Sequence, residues 1–250
     1  MRIYANAYEL MSETGRNLWE MGAEVKPTHY QNKDISNDEN FHTKELICEQ
    51  YCLTKLPDPE HLFVHTNAKE WADAEFEERV SFPPSNPGDA WKLRPDVWEE
   101  FLVGNIHKYF DYTYAERFMY ITKDDRFTAL ETVINGLKND KDTRKAILPV
   151  FDIDDTTYWD GSKRIPCSMY YDFLIRKNVK GEEQLNICYH QRSSDFITHF
   201  GNDVYLAWKL MLYIAEKVEV KPGYLYHTID SLHVYRKDWI KLKTSIADMI

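Results

Sequence analysis

Two stretches of strict alternation, followed at a short distance by a long amphipathic run, limit what this chain can fold into more than any other feature. In Ser168–Arg176 the residues Met169, Tyr171, Phe173 and Ile175 fall on one face, against Ser168, Tyr170, Asp172 and Leu174 on the other. A period of two is that of a strand. After the turn Lys180-Gly181-Glu182, Leu185–Gln191 alternates again, with Leu185, Ile187 and Tyr189 on one face and Cys188 and His190 opposite. The pair reads as a hairpin. Asp203 then opens a helix in which Val204, Ala207, Trp208, Met211, Ile214, Ala215 and Val218 recur at spacings of three and four, with Asn202 or Asp203 as its natural N-cap. Pro222-Gly223 reads as the turn into a last strand, Tyr224–Tyr235. This half is α+β, with strands in local pairs.

Upstream, Phe127, Leu130, Val133, Ile134 and Leu137 keep helical spacing up to the polar turn Asn139–Asp142. A loop with Arg144 and Lys145 leads into Ala146–Ile153, a β-branched run that Pro149 confines to a sheet edge or a bulge. Tyr4–Met21 and Asn67–Arg79 read as helices, and the four-proline segment Phe82–Pro95 as a loop or lid. Repeats and low-complexity tracts are absent. One domain over residues 1–250 is expected, with 1–95 poorly patterned and 96–240 sharply so.

With 31 Lys+Arg against 41 Asp+Glu the net charge is −10, which argues against general binding to nucleic acid or an anionic membrane and leaves room only for a local anion pocket. Tyr205–Ala215, the longest apolar stretch, is broken by Lys209 and falls short of the ~20 residues of a membrane helix. The first residues lack the apolar core of a secretory signal, so a cytoplasmic address is expected. Cys48, Cys52, Cys167 and Cys188 suit neither a disulfide framework nor a zinc site.

Three clusters carry chemical potential. Arg164-Ile-Pro-Cys167 sets a thiol at the mouth of a strand beside a cation, an arrangement that favours thiolate. Gln191-Arg192-Ser193-Ser194-Asp195 ends the next strand with a guanidinium and two hydroxyls, able to cradle a phosphate. His233 and Tyr235 share one face of the last strand and can both reach a sugar hydroxyl. Taken singly, the second is more often a solvated turn and the third a satisfied core pair.

Taken in this order, Pro166-Cys167, Arg192-Ser193-Ser194-Asp195, an Asn-Asp helix start and His233-Val-Tyr235 resemble the thymidylate synthase superfamily. Asp142-Thr-Arg144-Lys145 is similar to its Asp-Ser-Arg-Arg phosphate loop, and Asp96-Val-Trp98 and Asp111-Tyr112 to two of its landmarks, so the resemblance runs from about Val97 to Tyr235. It implies a mixed sheet covered by helices and dimerising through that sheet. It also implies transfer of a one-carbon unit from 5,10-methylenetetrahydrofolate, without a metal, to C5 of a pyrimidine deoxynucleoside monophosphate. Cys167 would be the nucleophile that adds to C6 and makes C5 electron-rich. Arg192 and Ser193 would hold the phosphate, with Arg144 and Lys145 supplied by the other subunit of a homodimer. His233 and Tyr235 would bind the sugar, and Asp195 and Trp98 would meet the folate. Glu75 would be the general acid/base, with Glu77 its near competitor. Lys145 departs from the usual second arginine, and the residue that replaces the N-terminal phosphate-binding arginine is not read from the sequence, with Lys26 and Lys33 as candidates.

The position eleven residues after Arg192 holds an asparagine in thymidylate synthases and Asp203 here. An asparagine amide both accepts from N3-H and donates to O4 of uracil, whereas an ionised aspartate only accepts and so matches the 4-amino group of cytosine. If the alignment slips by one, Asn202 reads the base. Phe200-Gly-Asn-Asp203 and Ser231-Leu-His-Val-Tyr235 resemble the deoxycytidylate hydroxymethylases of T-even phages, as does Ser168 where a histidine is usual. That likeness implies 5-hydroxymethyl-dCMP as product, formed in the cytoplasm of an infected host. Hydride in place of water as the quenching species would give a methyl group on dCMP or dUMP instead.

Overall fold

A computed structural model describes residues 1–123 and 126–248. Along the chain run β1 (Arg2–Tyr4), α1 (Ala7–Met21), β2 (Ala23–Val25), β3 (His29–Tyr30), β4 (Lys33–Asp34), β5 (Thr43–Leu53), α2 (Pro59–Leu62), α3 (Lys69–Arg79), α4 (Pro95–Trp98), α5 (Tyr114–Phe118), α6 (Ala129–Asn139), β6 (Ile147–Pro149), β7 (Ser168–Lys177), β8 (Glu183–Asp195), α7 (Phe200–Lys217), β9 (Lys221–Tyr235) and α8 (Trp239–Asp248). The main sheet is ordered β1-β5-β9-β8-β7-β6, with β2 also on β5, while β3 and β4 form a separate ribbon.

The hairpin β7–β8 is antiparallel, pairing Tyr171 with Tyr189 and Phe173 with Ile187. β9 lies parallel to β8, with Asp195 opposite His233. A parallel neighbour requires a crossover, and α7 supplies it. Phe200, Val204, Ala207, Trp208, Met211 and Ile214 of α7 are buried in a core that also takes Leu10, Met11 and Leu18 from α1 and Trp71 and Phe76 from α3. Tyr170, opposite His190 in the register, lies on the other face of the sheet and stays partly exposed in the single chain. No helix is long and apolar enough to cross a membrane among the described residues.

Several expectations need correction. β8 and β9 are not a local pair but the two arms of the crossover. Pro222 and Gly223 lie inside β9, and the chain turns instead at Glu219, which adopts φ +57°. Phe127 precedes α6 and is exposed, since Thr128 caps that helix through a capping box with Glu131. The expected strand Ala146–Ile153 shrinks to the edge strand β6, which satisfies Pro149. Tyr4 belongs to β1, because Asn6 caps α1 by accepting from the Glu9 amide. Neither Asn202 nor Asp203 caps α7: the helix begins at Phe200, so both lie within its first turn. β5 has no counterpart in the sequence pattern.

Candidate active site

Because β8 and β9 run parallel, the ends carrying Arg192–Asp195 and His233–Tyr235 arrive at the same edge of the sheet. Cys167, just ahead of the antiparallel β7, is drawn to that edge by a bond from the Arg192 amide to its carbonyl, 2.9 Å. Around it opens a cavity of about 350 Å³ lined, among others, by Glu75, Trp98, Cys167, Arg192, Asp203 and His233. Ser193, Asp195, Asn202 and Tyr235 line it too.

The Arg192 guanidinium is fixed by the strand it serves. Its Nε donates to the Pro166 carbonyl at 2.8 Å and its Nη2 to the Ile165 carbonyl at 3.1 Å, with Nη2 also 3.8 Å from Cys167 Sγ. The planar cation, held by two backbone oxygens against the thiol, keeps a donor edge for an anion. From the tip of the β3–β4 ribbon Gln31, with φ +53°, brings Nε2 to 4.0 Å from the same sulfur, and its Oε1 is buried without a partner.

α3 contributes Glu75, whose Oε1 accepts from Arg79 Nε at 2.8 Å. Burial raises the Glu75 pKa against the pull of that cation. Arg79 lies 3.8 Å above the Tyr114 ring, and the hydroxyls of Tyr114 and Tyr189 both meet that of Ser168, the residue after Cys167. Glu77 is exposed and does not line the cavity, so of the two candidates α3 presents Glu75.

Asp203 is partly buried, and its Oδ2 accepts from Ser194 Oγ at 2.8 Å. Burial pushes its pKa up to about 6, opposed by Gln191, Ser194 and the Arg79 charge. Asn202 donates its Nδ2 to the Thr198 carbonyl, 3.1 Å away. Burial also keeps His233 neutral by lowering its pKa, and Tyr235 packs edge-on against it at 5.0 Å.

On the far side of the cavity Trp98 stacks on Trp71 at 5.3 Å, and half-buried His199 sits 5.6 Å from Trp98. Burial lowers the His199 pKa to about 4. Arg164 is buried with its guanidinium 4.2 Å from the Phe101 ring. The Nε1 atoms of Trp91 and Trp98 and the Nε of Arg164 have no partner in the structure. Buried donors beside flat apolar walls suit a planar heteroaromatic group with carbonyl and ring-nitrogen acceptors.

Arg144 and Lys145 are not brought to the cavity; both are exposed in the loop before β6. Lys33 is ion-paired with Glu100, and Lys26 is exposed away from the site. The N-terminal element at the thiol is instead the ribbon carrying Tyr30 and Gln31, which the sequence did not single out. A glutamine in a polar stretch carries no signal of its own. Tyr114 and Arg79 were likewise missed, although four-residue spacing from Glu75 to Arg79 on a helix marks an ion pair.

Comparison with known proteins fits this geometry. The family model described as thymidylate synthase matches residues 86–248. The chain belongs to the thymidylate synthase family. A relative from Methanococcoides burtonii, named "Putative thymidylate synthase", is 30% identical over 148 residues, 59% of this chain and 64% of its own length. The thymidylate synthase of Lactococcus lactis subsp. cremoris is 24% identical over 140 residues, 55% of this chain and 46% of that one. The matched segment thus spans less than two thirds of either relative. In fold the chain is similar to thermostable thymidylate synthase A from Bacillus subtilis, with TM-score 0.75 at 15% identity over 95% of this chain and 83% of that one.

Proposed function

We propose that this protein transfers a one-carbon unit from 5,10-methylenetetrahydrofolate to C5 of dCMP and releases 5-hydroxymethyl-dCMP. Asp203 is the observation that carries the choice of base: a carboxylate in the cavity, already given a donor by Ser194, has acceptor capacity left for an exocyclic amino group. The folate, when bound against Trp98, Asp195 and the unpartnered donors of Trp91 and Arg164, supplies the carbon at the oxidation level of formaldehyde.

Cys167 thiolate adds to C6, and the electron pair of the C5–C6 bond becomes available at C5 for the new carbon–carbon bond. Arg192 steadies the thiolate and, with Ser193, takes the phosphate, while His233 and Tyr235 take the sugar. Asp203 accepts from the 4-amino group, and from N3 when that nitrogen is protonated in the adduct. Glu75, with a raised pKa and a place on the cavity wall, moves protons between the ring and water. Loss of the C5 proton and breaking of the carbon–nitrogen bond to the departing tetrahydrofolate leave a methylene on C5; water adds to it, and expulsion of Cys167 restores the ring. Atoms balance as dCMP, the one-carbon donor and water giving 5-hydroxymethyl-dCMP and tetrahydrofolate. Arg144 and Lys145 would reach the phosphate from a second copy docked through the sheet.

A second reading, hydride in place of water and dUMP in place of dCMP, is favoured by the names of the relatives. Mass spectrometry of products from an equimolar mixture of dCMP and dUMP separates the two. A gain of CH2O on dCMP is expected, whereas a gain of CH2 on dUMP overturns the proposal.

A further inference from the structure

Gln31 and Asn32 form the tip of the β3–β4 ribbon, and the backbone there is strained at the residue that reaches the sulfur. Gln31 holds φ +53°, a left-handed conformation unfavourable for a residue with a Cβ. Packing on three sides keeps it there. Tyr30 lies 5.3 Å from the Phe41 ring and 5.8 Å from those of Phe101 and Tyr235, and Lys33 is ion-paired with Glu100. The loop before Cys167 closes on the tip at Gly161, where an added Cβ would fall 3.2 Å from the His29 ring and 3.6 Å from the Gln31 carbonyl oxygen.

The side chain that this packing delivers has one polar contact among the described residues, Nε2 at 4.0 Å from Cys167 Sγ, and its Oε1 is buried without a partner. An unpaired buried acceptor destabilises the fold, so stability does not account for the placement. With Arg192 Nη2 at 3.8 Å, the sulfur is met by N–H groups from two separate elements, the ribbon and β8.

We propose that Gln31 is a catalytic residue, a second N–H donor to the Cys167 sulfur, holding the negative charge that the sulfur carries before it adds to C6 and regains on expulsion. The proposal rests on Cys167 being the nucleophile and is independent of which base is read. The S–C6 bond forms from a sulfur electron pair. It breaks with that pair returning to sulfur as the C5–C6 double bond is restored. A donor fixed in advance where this charge appears needs no reorganisation.

Other groups facing the sulfur stay in place. Arg192 on β8 and Arg164 in the loop before β7 carry fixed charges, and Glu75, Asp195, His29 and His233 line the same cavity. The phenols of Tyr30, Tyr112, Tyr114 and Tyr235 interact with the thiol electrostatically; burial raises the pKa of each, so none ionises ahead of a free phenol.

The test is iodoacetamide alkylation of the ligand-free protein from pH 6 to 9.5, with Cys167 separated from the other three cysteines by peptide mass spectrometry. Wild type is compared with Gln31→Met, which lacks the donor, and Gln31→Glu, which sets an acceptor against the sulfur. Neither new side chain is β-branched, so both accept the tip conformation about as glutamine does. Loss of one donor predicts a midpoint about one unit higher in Gln31→Met. Fewer thiolates, each more nucleophilic, make alkylation about threefold slower at pH 7 and about threefold faster on the alkaline plateau, so the two profiles cross. Gln31→Glu moves further in the same direction and carries the test if Gln31→Met does not fold. A rate changed by one factor at every pH means the amide only gates access, and overturns the proposal. Faster alkylation at pH 7 means that Oε1 accepts from the thiol S–H, and overturns it too. So does an unchanged profile with weakened dCMP binding, which gives the amide to the nucleotide. A wild type that still turns over nucleotide after complete alkylation of Cys167 overturns the nucleophile reading instead.

Discussion

Replacing Asp203 by asparagine should make the protein more stable at neutral pH while reversing its choice of base. Asp203 has its pKa raised from 3.8 to about 6 by burial. Between about pH 4 and 6 the native state holds a proton that the unfolded chain has released, so stability falls as pH rises through that window and is level above it. A shift of this size amounts to roughly 3 kcal/mol at pH 7, an upper figure because water in the cavity screens the carboxylate. The substituted amide has no such titration and retains an oxygen for Ser194 Oγ. Urea unfolding at fixed protomer concentration should therefore show the advantage of Asp203→Asn over wild type growing by about 1–2 kcal/mol between pH 4.5 and 7.5, with unchanged slope. The same amide pairs with uracil O4 and opposes the cytosine amino group. An unpaired buried donor costs about 1–3 kcal/mol, so the dCMP-to-dUMP affinity ratio should fall by roughly tenfold or more. A stability difference that does not change with pH would refute the burial argument, and an unchanged ratio would refute the reading of the base.

Cys167→Ala should abolish turnover and leave nucleotide affinity within about threefold, read by product analysis and by calorimetry; residual turnover near the wild-type rate removes Cys167 as nucleophile. Arg79→Met leaves Glu75 as a buried charge without its 2.8 Å partner and should cost about 3–5 kcal/mol in denaturant unfolding, against little for the pairwise change Glu75→Gln/Arg79→Met. In Gly201→Ala the new Cβ would fall 2.0 Å from the Leu62 carbonyl oxygen, so α7 must shift. A loss of about 1–3 kcal/mol is expected, and an unchanged Tm would show that α2 yields instead.

Much of the fold from Ala129 onward was legible because burial there is one-sided and periodic, as the hairpin β7–β8 and the stripe of α7 illustrate. β5 was not, since Cys48 leaves the extended region at φ +54° and the strand's exposed middle carries Ile47 outward, so alternation fails where it would have been counted. The parallel pairing of β8 with β9 is invisible to periodicity, although a strand, a long helix and a strand in succession describe a crossover. In the site, Cys167, Arg192, Asp195, Asp203 and His233 are brought together around one cavity, and their types and order single them out in the sequence. Gln31 owes its position to backbone that is distant in sequence, so nothing local marks it. Arg144 and Lys145, singled out by their likeness to a phosphate loop, are exposed and do not line the cavity of the single chain.

The pairing of Tyr51 with His227 joins positions 176 residues apart. Closing so long a loop is entropically slow, while β7–β8 and the crossover to β9 assemble from neighbouring sequence. During synthesis the segment that becomes β5 leaves the ribosome well before its partner strand exists, and its unpaired edge is a target for chaperones and for other nascent chains. The β5–β9 seam of the sheet is therefore completed last. A destabilised variant should open there first, with amide exchange fastest along β5 while β7, β8 and β9 stay protected.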